Sequence, residues 1–337
     1  MLDGERYRWL GGGKGALSHS TPIGRLFAQH KHLPLYFTQI MATKIESKAS
    51  AVGLLAAYDT FLFDCDGVLW LGDHLLPHVI ETLELLRSLK KKVIFVTNNS
   101  TKSRRQYTAK FAKFGLNVTE EEIFGSAYAS AVYLSTIVAL PKDRKVWVLG
   151  QSGIEDELHQ LGYETLGGSD PELDREFNSE SPLLNVDPNV GAVVAGLDIK
   201  VNYYRLAATL QYLRDPKVEF VATNIDSTYP QKGRVLPGAG SIVESAACAS
   251  GRQPVACGKP SQGMMAAIKA IHQFDPSKAI MVGDRLNTDM KFGRDGGLAT
   301  LLVLTGIETK EGLDSLAPNL KPTFYAEKLG DLYLHSK

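Results

Sequence analysis

Two aspartates separated by one residue follow directly on an apolar run, Phe61-Leu62-Phe63 leading into Asp64-Cys65-Asp66-Gly67-Val68. Carboxylates at i and i+2 beyond a buried strand are costly unless a cation or a partner neutralises them. Once the chain turns, both can face one pocket, and Gly67 permits such a turn. A hard, oxygen-seeking cation such as Mg²⁺ suits the pair. A capping aspartate beside a surface aspartate satisfies the same spacing, so the pair alone leaves both readings open.

Three further clusters weigh on that choice. Thr97-Asn98-Asn99-Ser100 follows the apolar run 93–96, and its hydroxyls, amides and backbone N–H groups can cradle a phosphate. Capping of a helix that starts near Lys102 is the alternative. In Gly258-Lys259-Pro260-Ser261, Ser261 is placed to cap a helix carrying Met264, Ile268 and Ile271. Lys259 then sits beside a positive helix end, a better place for a phosphate oxygen than for a structural cation. Gly283-Asp284-Arg285-Leu286-Asn287-Thr288-Asp289 adds two more carboxylates after the apolar run 279–282. Four aspartates, one lysine and a Thr-Asn loop at strand ends exceed what capping explains.

The elements that position these residues are short apolar runs alternating with helical patterns. Runs at 61–63, 93–96, 279–282 and 301–304 read as buried strands, and Leu76, Val79, Ile80 and Leu83 have helical spacing. This alternation predicts an α/β chain with an open, doubly wound, Rossmann-like parallel sheet, whose ligands bind at the carboxyl ends of the strands. The middle third repeats the pattern, with strands at 146–149, 192–195 and 218–221 and a helix at 203–213. Its acidic, period-free stretch 167–189 reads as a mobile surface loop. The predicted organisation is a core of 46–137 and 256–337 with a smaller α/β unit, 138–255, inserted as a cap. Residues 1–45 lack a period and hold no acidic residue between Glu5 and Glu46. They read as a disordered extension ahead of a second start at Met41, or as a mitochondrial transit segment.

Composition narrows the partners. Across 337 residues, 37 Lys+Arg and 37 Asp+Glu cancel, which removes the electrostatic case for nucleic acid or an anionic membrane. No apolar stretch approaches the roughly 18 residues of a spanning helix. Three cysteines, Cys65, Cys248 and Cys257, cannot all pair and lack metal-ligand spacing, so a reducing, cytoplasmic setting is expected. Cys65 lies between two carboxylates, whose repulsion should raise its thiol pKa.

Asp-x-Asp-Gly-Val, Thr-Asn-Asn-Ser, Gly-Lys-Pro and Gly-Asp-Arg-Leu-x-Thr-Asp, in that order, resemble the motifs of the haloacid dehalogenase-like phosphatases, over about Tyr58 to Tyr333. The insertion between the second and third motifs resembles the large α/β (C2-type) cap of the subgroup holding para-nitrophenyl, phosphoglycolate and pyridoxal phosphatases. Residues 61–70, 96–104, 222–232 and 281–292 are especially similar to fungal para-nitrophenyl phosphatase. The resemblance implies that Asp64 is the nucleophile, becoming an aspartyl phosphate, and that Asp66 is general acid and then base. It implies that Asp64, the backbone carbonyl of Asp66, and Asp284 hold Mg²⁺ with Asp289 in support, and that Thr97, Asn98, Asn99 and Lys259 bind the transferring phosphoryl group.

The implied activity is Mg²⁺-dependent hydrolysis of a small phosphorylated metabolite, 2-phosphoglycolate foremost, with 4-nitrophenyl phosphate as an artificial substrate. Pyridoxal phosphate, glycerol 3-phosphate and phosphoproteins are the alternatives within the class. Tyr229 stands where a pyridoxal phosphatase is expected to carry His. The segment 222–230 resembles the cap's substrate-facing loop, although turn chemistry accounts for Asn224 and Asp226 equally well. A homodimer through the cap is implied by the resemblance alone. A non-catalytic binding protein on the same scaffold is the reading from another class; it gives no reason to retain Asp64, Asp66, Lys259 and Asp284 together.

Overall fold

Apolar runs that end in polar residues become the central strands of a parallel sheet. The computed structural model describes residues 42–231 and 234–337. The Met41 start and the reading of 1–41 as an extension or transit segment lie outside the described residues.

Along the chain, β1 (Thr43–Lys44) and α1 (Lys48–Ala57) precede β2 (Thr60–Phe63). A hairpin of β3 (Trp70–Leu71) and β4 (His74–Leu75) leads to α2 (Val79–Ser88), β5 (Lys92–Thr97), α3 (Arg104–Lys113), β6 (Ile123–Gly125) and α4 (Ser126–Val132). Then come β7 (Lys145–Leu149), α5 (Ser152–Gln160), β8 (Thr165–Gly167), β9 (Val190–Ala195), α6 (Tyr203–Leu213) and β10 (Glu219–Ala222). A second hairpin, β11 (Thr228–Gln231) and β12 (Arg234–Pro237), is followed by α7 (Ala239–Ser250), β13 (Val255–Ala256) and α8 (Gln262–His272). The chain closes with β14 (Ala279–Gly283), α9 (Lys291–Asp295), β15 (Ala299–Val303), α10 (Lys310–Asp314), β16 (Phe324–Ala326) and α11 (Asp331–Ser336).

Seven strands form one sheet in the order β1-β16-β15-β14-β2-β5-β6, and every pairing is parallel. The pleat sends alternate residues to opposite faces. Phe61, Phe63, Val93, Phe95, Ile280 and Val282 join one buried cluster with Leu54 of α1, Leu83 of α2 and Phe111 of α3. Leu62, Ile94, Val96 and Met281 join another with Ala127 of α4 and Ile268 of α8. A sheet buried on both faces needs continuous apolar strands, and that is why these runs do not alternate with polar residues. The doubly wound core is as expected.

Strands between Lys145 and Ala256 form a second, five-stranded parallel sheet, β13-β10-β9-β7-β8. One of its faces, through Val146, Val148, Val194 and Val221, packs into the same cluster as Met281 and Ile268. Its other face is covered by α6 and α7 through Tyr204, Ala208, Ile242 and Val243. The two sheets therefore share apolar packing. No helix among the described residues is long and apolar enough to cross a membrane.

Several local expectations need correction. Thr43 and Lys44, assigned by pattern to the extension, pair with Phe324 and Tyr325 as the edge strand; two residues are too short to show a period. The stretch 167–189 is anchored: Leu173 is buried, and Asp174 accepts from the buried Arg205 guanidinium at 2.7 Å. Glu172, Asp174 and Asp187 are in ion pairs, so part of the acidic composition there is tied down. Ser261 caps α8 as expected, with its hydroxyl accepting from the N–H of Gly263, but Ile271 lies on the exposed face. The helix placed near Lys102 begins at Arg104, because Ser103 and Gln106 form a reciprocal capping box.

Candidate active site

The strand order puts β14, β2 and β5 side by side, with Val282 opposite Phe63 and Phe63 opposite Phe95. Their carboxyl ends are therefore level, and Asp64, Thr97 and Asp284 emerge around one crevice. From β2 the chain works outward to β5 and β6, and from β14 outward to β15 and β16, so this is the switch point of the sheet. Beyond Asp64 the backbone turns back on itself: the N–H of Leu69 donates to Cys65 O at 2.9 Å and that of Gly67 to Trp70 O at 2.8 Å. Gly67 has φ +90°, where a side chain is strained.

Lys259 arrives from the other sheet, two residues after Cys257 N donates to Ala222 O. Its side chain is 1% exposed, with Nζ 2.7 Å from Asp64 Oδ1 and 2.8 Å from Asp289 Oδ1. It also donates to Val96 O at 2.8 Å. The contact with Asp289 Oδ1 is an ion pair that lacks hydrogen-bond angles, so that oxygen keeps its hydrogen-bonding capacity. Asp289 Oδ2 accepts the backbone N–H groups of Asp284 and Arg285, both at 3.2 Å. Asp284 Oδ2 accepts from Ile307 N at 2.8 Å.

Oxygens of Asp64, Asp284 and Asp289 lie within 4.8 Å of one another. Burial pushes the Asp64 carboxyl up to about 7, with Asp289 and Asp66 adding to the rise and Lys259 opposing it. Burial likewise raises Asp284 well above its ordinary value, helped by the charges of Asp289 and Asp64. For Lys259 burial alone would lower the pKa, but the carboxylates of Asp289 and Asp64 overcome it and hold the ammonium above its usual range. Three buried carboxylates thus cluster beside one ammonium, which contacts two of them. An all-oxygen donor set with surplus negative charge, one of its oxygens short of a hydrogen bond, fits a hard divalent cation.

Close backbone approach makes the room. A Cβ on Gly306 would lie 1.8 Å from Asp284 Oδ2, and one on Gly67 2.5 Å from the same oxygen. Gly306→Ala is therefore expected to displace the Asp284 carboxyl and cost about 1–3 kcal/mol of stability, as overpacking does. Urea unfolding of the variant measures this; an unshifted midpoint would mean that the carboxyl has space to retreat.

The Thr-Asn loop lies in the crevice, yet its side chains are largely engaged by the protein itself. Thr97 Oγ1 accepts from Asn99 N at 3.1 Å and lies 3.3 Å from the Tyr107 hydroxyl. Asn99 Oδ1 accepts from the backbone N–H and hydroxyl of Thr101. Asn98 Nδ2 donates to Asp226 Oδ2 and to Lys259 O, both at 2.9 Å, while its Oδ1 accepts from Lys259 N at 2.8 Å. Asn98 thereby ties the Lys259 loop to the loop after β10, which returns Asn224 Nδ2 to Asn98 O. Asp226, whose turn-forming reading was equally open, is held within the crevice, and burial raises its carboxyl.

All eight residues singled out from the sequence line one cavity of about 630 Å³, together with Asn224, Asp226, Tyr229, Leu197, Ile199 and Arg285 from the loops around it. Trp70 and Lys110 were missed. Trp70 Nε1 donates to Asp66 Oδ1 at 2.9 Å, and Lys110 Nζ lies 3.8 Å from that oxygen. A signal for Lys110 existed: it lies three residues after Tyr107 and four before Phe114, on a helix face with aromatic neighbours, an odd place for a lone cation. For Cys65 the thiol pKa is raised well up, as expected, but burial is the larger cause and the two carboxylates come second.

A family model for haloacid dehalogenase-like hydrolases matches residues 61–164, and a HAD-hydrolase-like model matches 256–332. The chain is 46% identical to the 4-nitrophenylphosphatase of Schizosaccharomyces pombe, over 87% of this chain and 99% of that one. It is 43% identical to the chloroplastic phosphoglycolate phosphatase 1A of Arabidopsis thaliana, over 93% of this chain and 88% of that one. Among solved structures it is similar to a glycerol phosphate phosphatase from Mycobacterium tuberculosis in complex with magnesium. That match has a TM-score of 0.69 and 28% identity, and covers 83% of this chain and 77% of the other.

Proposed function

Because the chain belongs to the haloacid dehalogenase-like hydrolases, we propose that it is a Mg²⁺-dependent phosphatase of small phosphate monoesters, with 2-phosphoglycolate foremost among its substrates. The observation that carries this reading is the contact of Lys259 Nζ with both Asp64 and Asp289 inside the crevice where Asp284 also lies. A site that gathers these groups from distant parts of the chain matches the needs of phosphoryl transfer, where positioning and charge stabilisation supply most of the acceleration.

In this proposal Asp64, the backbone carbonyl of Asp66, and Asp284 hold Mg²⁺, with Asp289 in support. When bound, the ion polarises a phosphoryl oxygen and offsets the repulsion between phosphate and carboxylate. Asp64 attacks phosphorus and becomes an aspartyl phosphate, a role for which a carboxylate needs nearby positive charge. Lys259 supplies part of that charge and contacts the transferring phosphoryl group. Thr97, Asn98 and Asn99 line the crevice at the carboxyl end of β5, where the phosphoryl group would lie, and the Asn98 side chain acts by bracing Lys259. Asp66 donates a proton to the leaving oxygen, then accepts one from the water that cleaves the aspartyl phosphate.

Residues 138–255 serve in this reading as a cap that excludes water and selects the ester; its loop after β10, reaching the crevice through Asp226, supports that role. The homodimer through the cap belongs to this reading on the family resemblance alone.

The test is steady-state hydrolysis of 2-phosphoglycolate, glycerol 3-phosphate, pyridoxal phosphate and 4-nitrophenyl phosphate. Turnover with Mg²⁺ is expected to fall on the order of 10²-fold or more with EDTA. If no ester turns over, the scaffold binds and does not catalyse.

A further inference from the structure

Asp66 is gripped on one oxygen only. Trp70 Nε1 donates to Asp66 Oδ1 at 2.9 Å, and Lys110 Nζ approaches the same Oδ1 to 3.8 Å. Lys110 Nζ also lies 4.1 Å from the centroid of the Trp70 ring, so indole, ammonium and carboxyl form a closed triangle. The triangle has a rigid base. Trp70 is fully buried and stacks on Phe114 with ring centroids 5.5 Å apart, with Phe111 edge-on at 5.0 Å. Among the described residues, nothing donates to or accepts from Asp66 Oδ2, and Asp66 lines the crevice.

An indole N–H and an ammonium are donors without an acceptor. Neither can face a protonated oxygen favourably, so a proton carried by Asp66 must reside on Oδ2. We propose that Trp70 and Lys110 are positioning residues that hold Asp66 so that Oδ2 alone exchanges the proton with the reacting oxygen. This rests on the reading of Asp66 as the general acid and base.

In the first step a bond forms between an Asp64 carboxylate oxygen and phosphorus. The bond from phosphorus to the leaving oxygen breaks, its electron pair stays on that oxygen, and the Asp66 Oδ2 proton neutralises it. In the second step Oδ2 takes a proton from water as the water oxygen bonds to phosphorus, and the electron pair of the cleaved acyl phosphate returns to Asp64.

The leaving group provides the test. An alkoxide needs protonation as it departs, whereas 4-nitrophenolate leaves as a stable anion. The value of kcat/KM reports the transfer to Asp64 in both cases. Lys110→Met and Trp70→Phe are each expected to lower kcat/KM for 2-phosphoglycolate and glycerol 3-phosphate about tenfold, part of the roughly 10²–10⁴ supplied by general acids. The loss on 4-nitrophenyl phosphate should be at least about fivefold smaller. The alkyl losses should fall on kcat rather than KM, and Lys110→Arg should restore most of the rate. Lys110 is 15% exposed whereas Trp70 is fully buried, so the Lys110 variant stays informative if Trp70→Phe folds poorly.

Equal losses on alkyl and aryl esters would overturn the proposal, since a purely structural role moves both alike. Asp66→Asn separates the two layers. If it is biased against alkyl esters while the Lys110 and Trp70 variants are not, only the positioning fails; if Asp66→Asn shows no bias, the acid assignment fails first.

Discussion

Asp64→Asn is expected to lower kcat on every ester by on the order of 10⁴-fold or more, with the fold intact. An amide cannot form the aspartyl phosphate, and no neighbour takes its place: Asp284 is committed to Ile307 N, and Asp289 to two backbone N–H groups. The substitution is nearly isosteric and removes one of three mutually repelling buried carboxylates. Lys259 keeps Asp289 and Val96 O. Thermal unfolding in EDTA should therefore give a melting temperature equal to or above that of the parent protein. Trapping with a radiolabelled substrate adds a direct readout, because label should stay on the parent protein after acid quench and be absent from the variant. Retention of more than a small fraction of turnover would contradict the nucleophile assignment.

Lys259→Met has the opposite signature, losing both rate and stability. Removing the ammonium leaves Asp64, Asp284 and Asp289 facing one another without their buried counter-charge. Breaking a buried pair by deleting one partner typically costs about 3–5 kcal/mol. Loss of one preorganised donor to the reacting phosphoryl group costs about 10²–10³ in kcat, and KM should rise as well. Urea unfolding in EDTA and steady-state kinetics measure the two effects separately. Combining Lys259→Met with Asp64→Asn should recover part of the lost stability, since the two side chains are in direct contact and their effects are not independent. Unchanged kinetics in the single variant would return Lys259 to a structural role.

The residues of the candidate site could be read from the chain because they are marked by their immediate neighbours. Asp64, Thr97 and Asp284 each close an apolar run, and a parallel sheet delivers the carboxyl ends of adjacent strands to one edge. Periodicity also placed α6 at its observed bounds, since its buried face repeats through Tyr204, Ala208 and Tyr212. Short or polar segments carry no such signal. Thr43 and Lys44 acquire their strand only by pairing with Phe324 and Tyr325, and the stretch after β8 is anchored by Leu173 and the Asp174–Arg205 pair.

The amino-acid sequence by itself determined which groups this protein would bring to its crevice, because residue type and strand-end position are local properties. The tertiary structure decided what each group touches there. Lys259 meets Asp64 across 195 positions and Asn98 meets Asp226 across 128, and those pairings depend on how two sheets pack. The Asn98 amide is spent on bracing, and Asp66 is held at one oxygen by Trp70 and Lys110. Hydrogen bonds need geometry within a few tenths of an ångström, and spacing along a chain does not encode that; only the packed core fixes it.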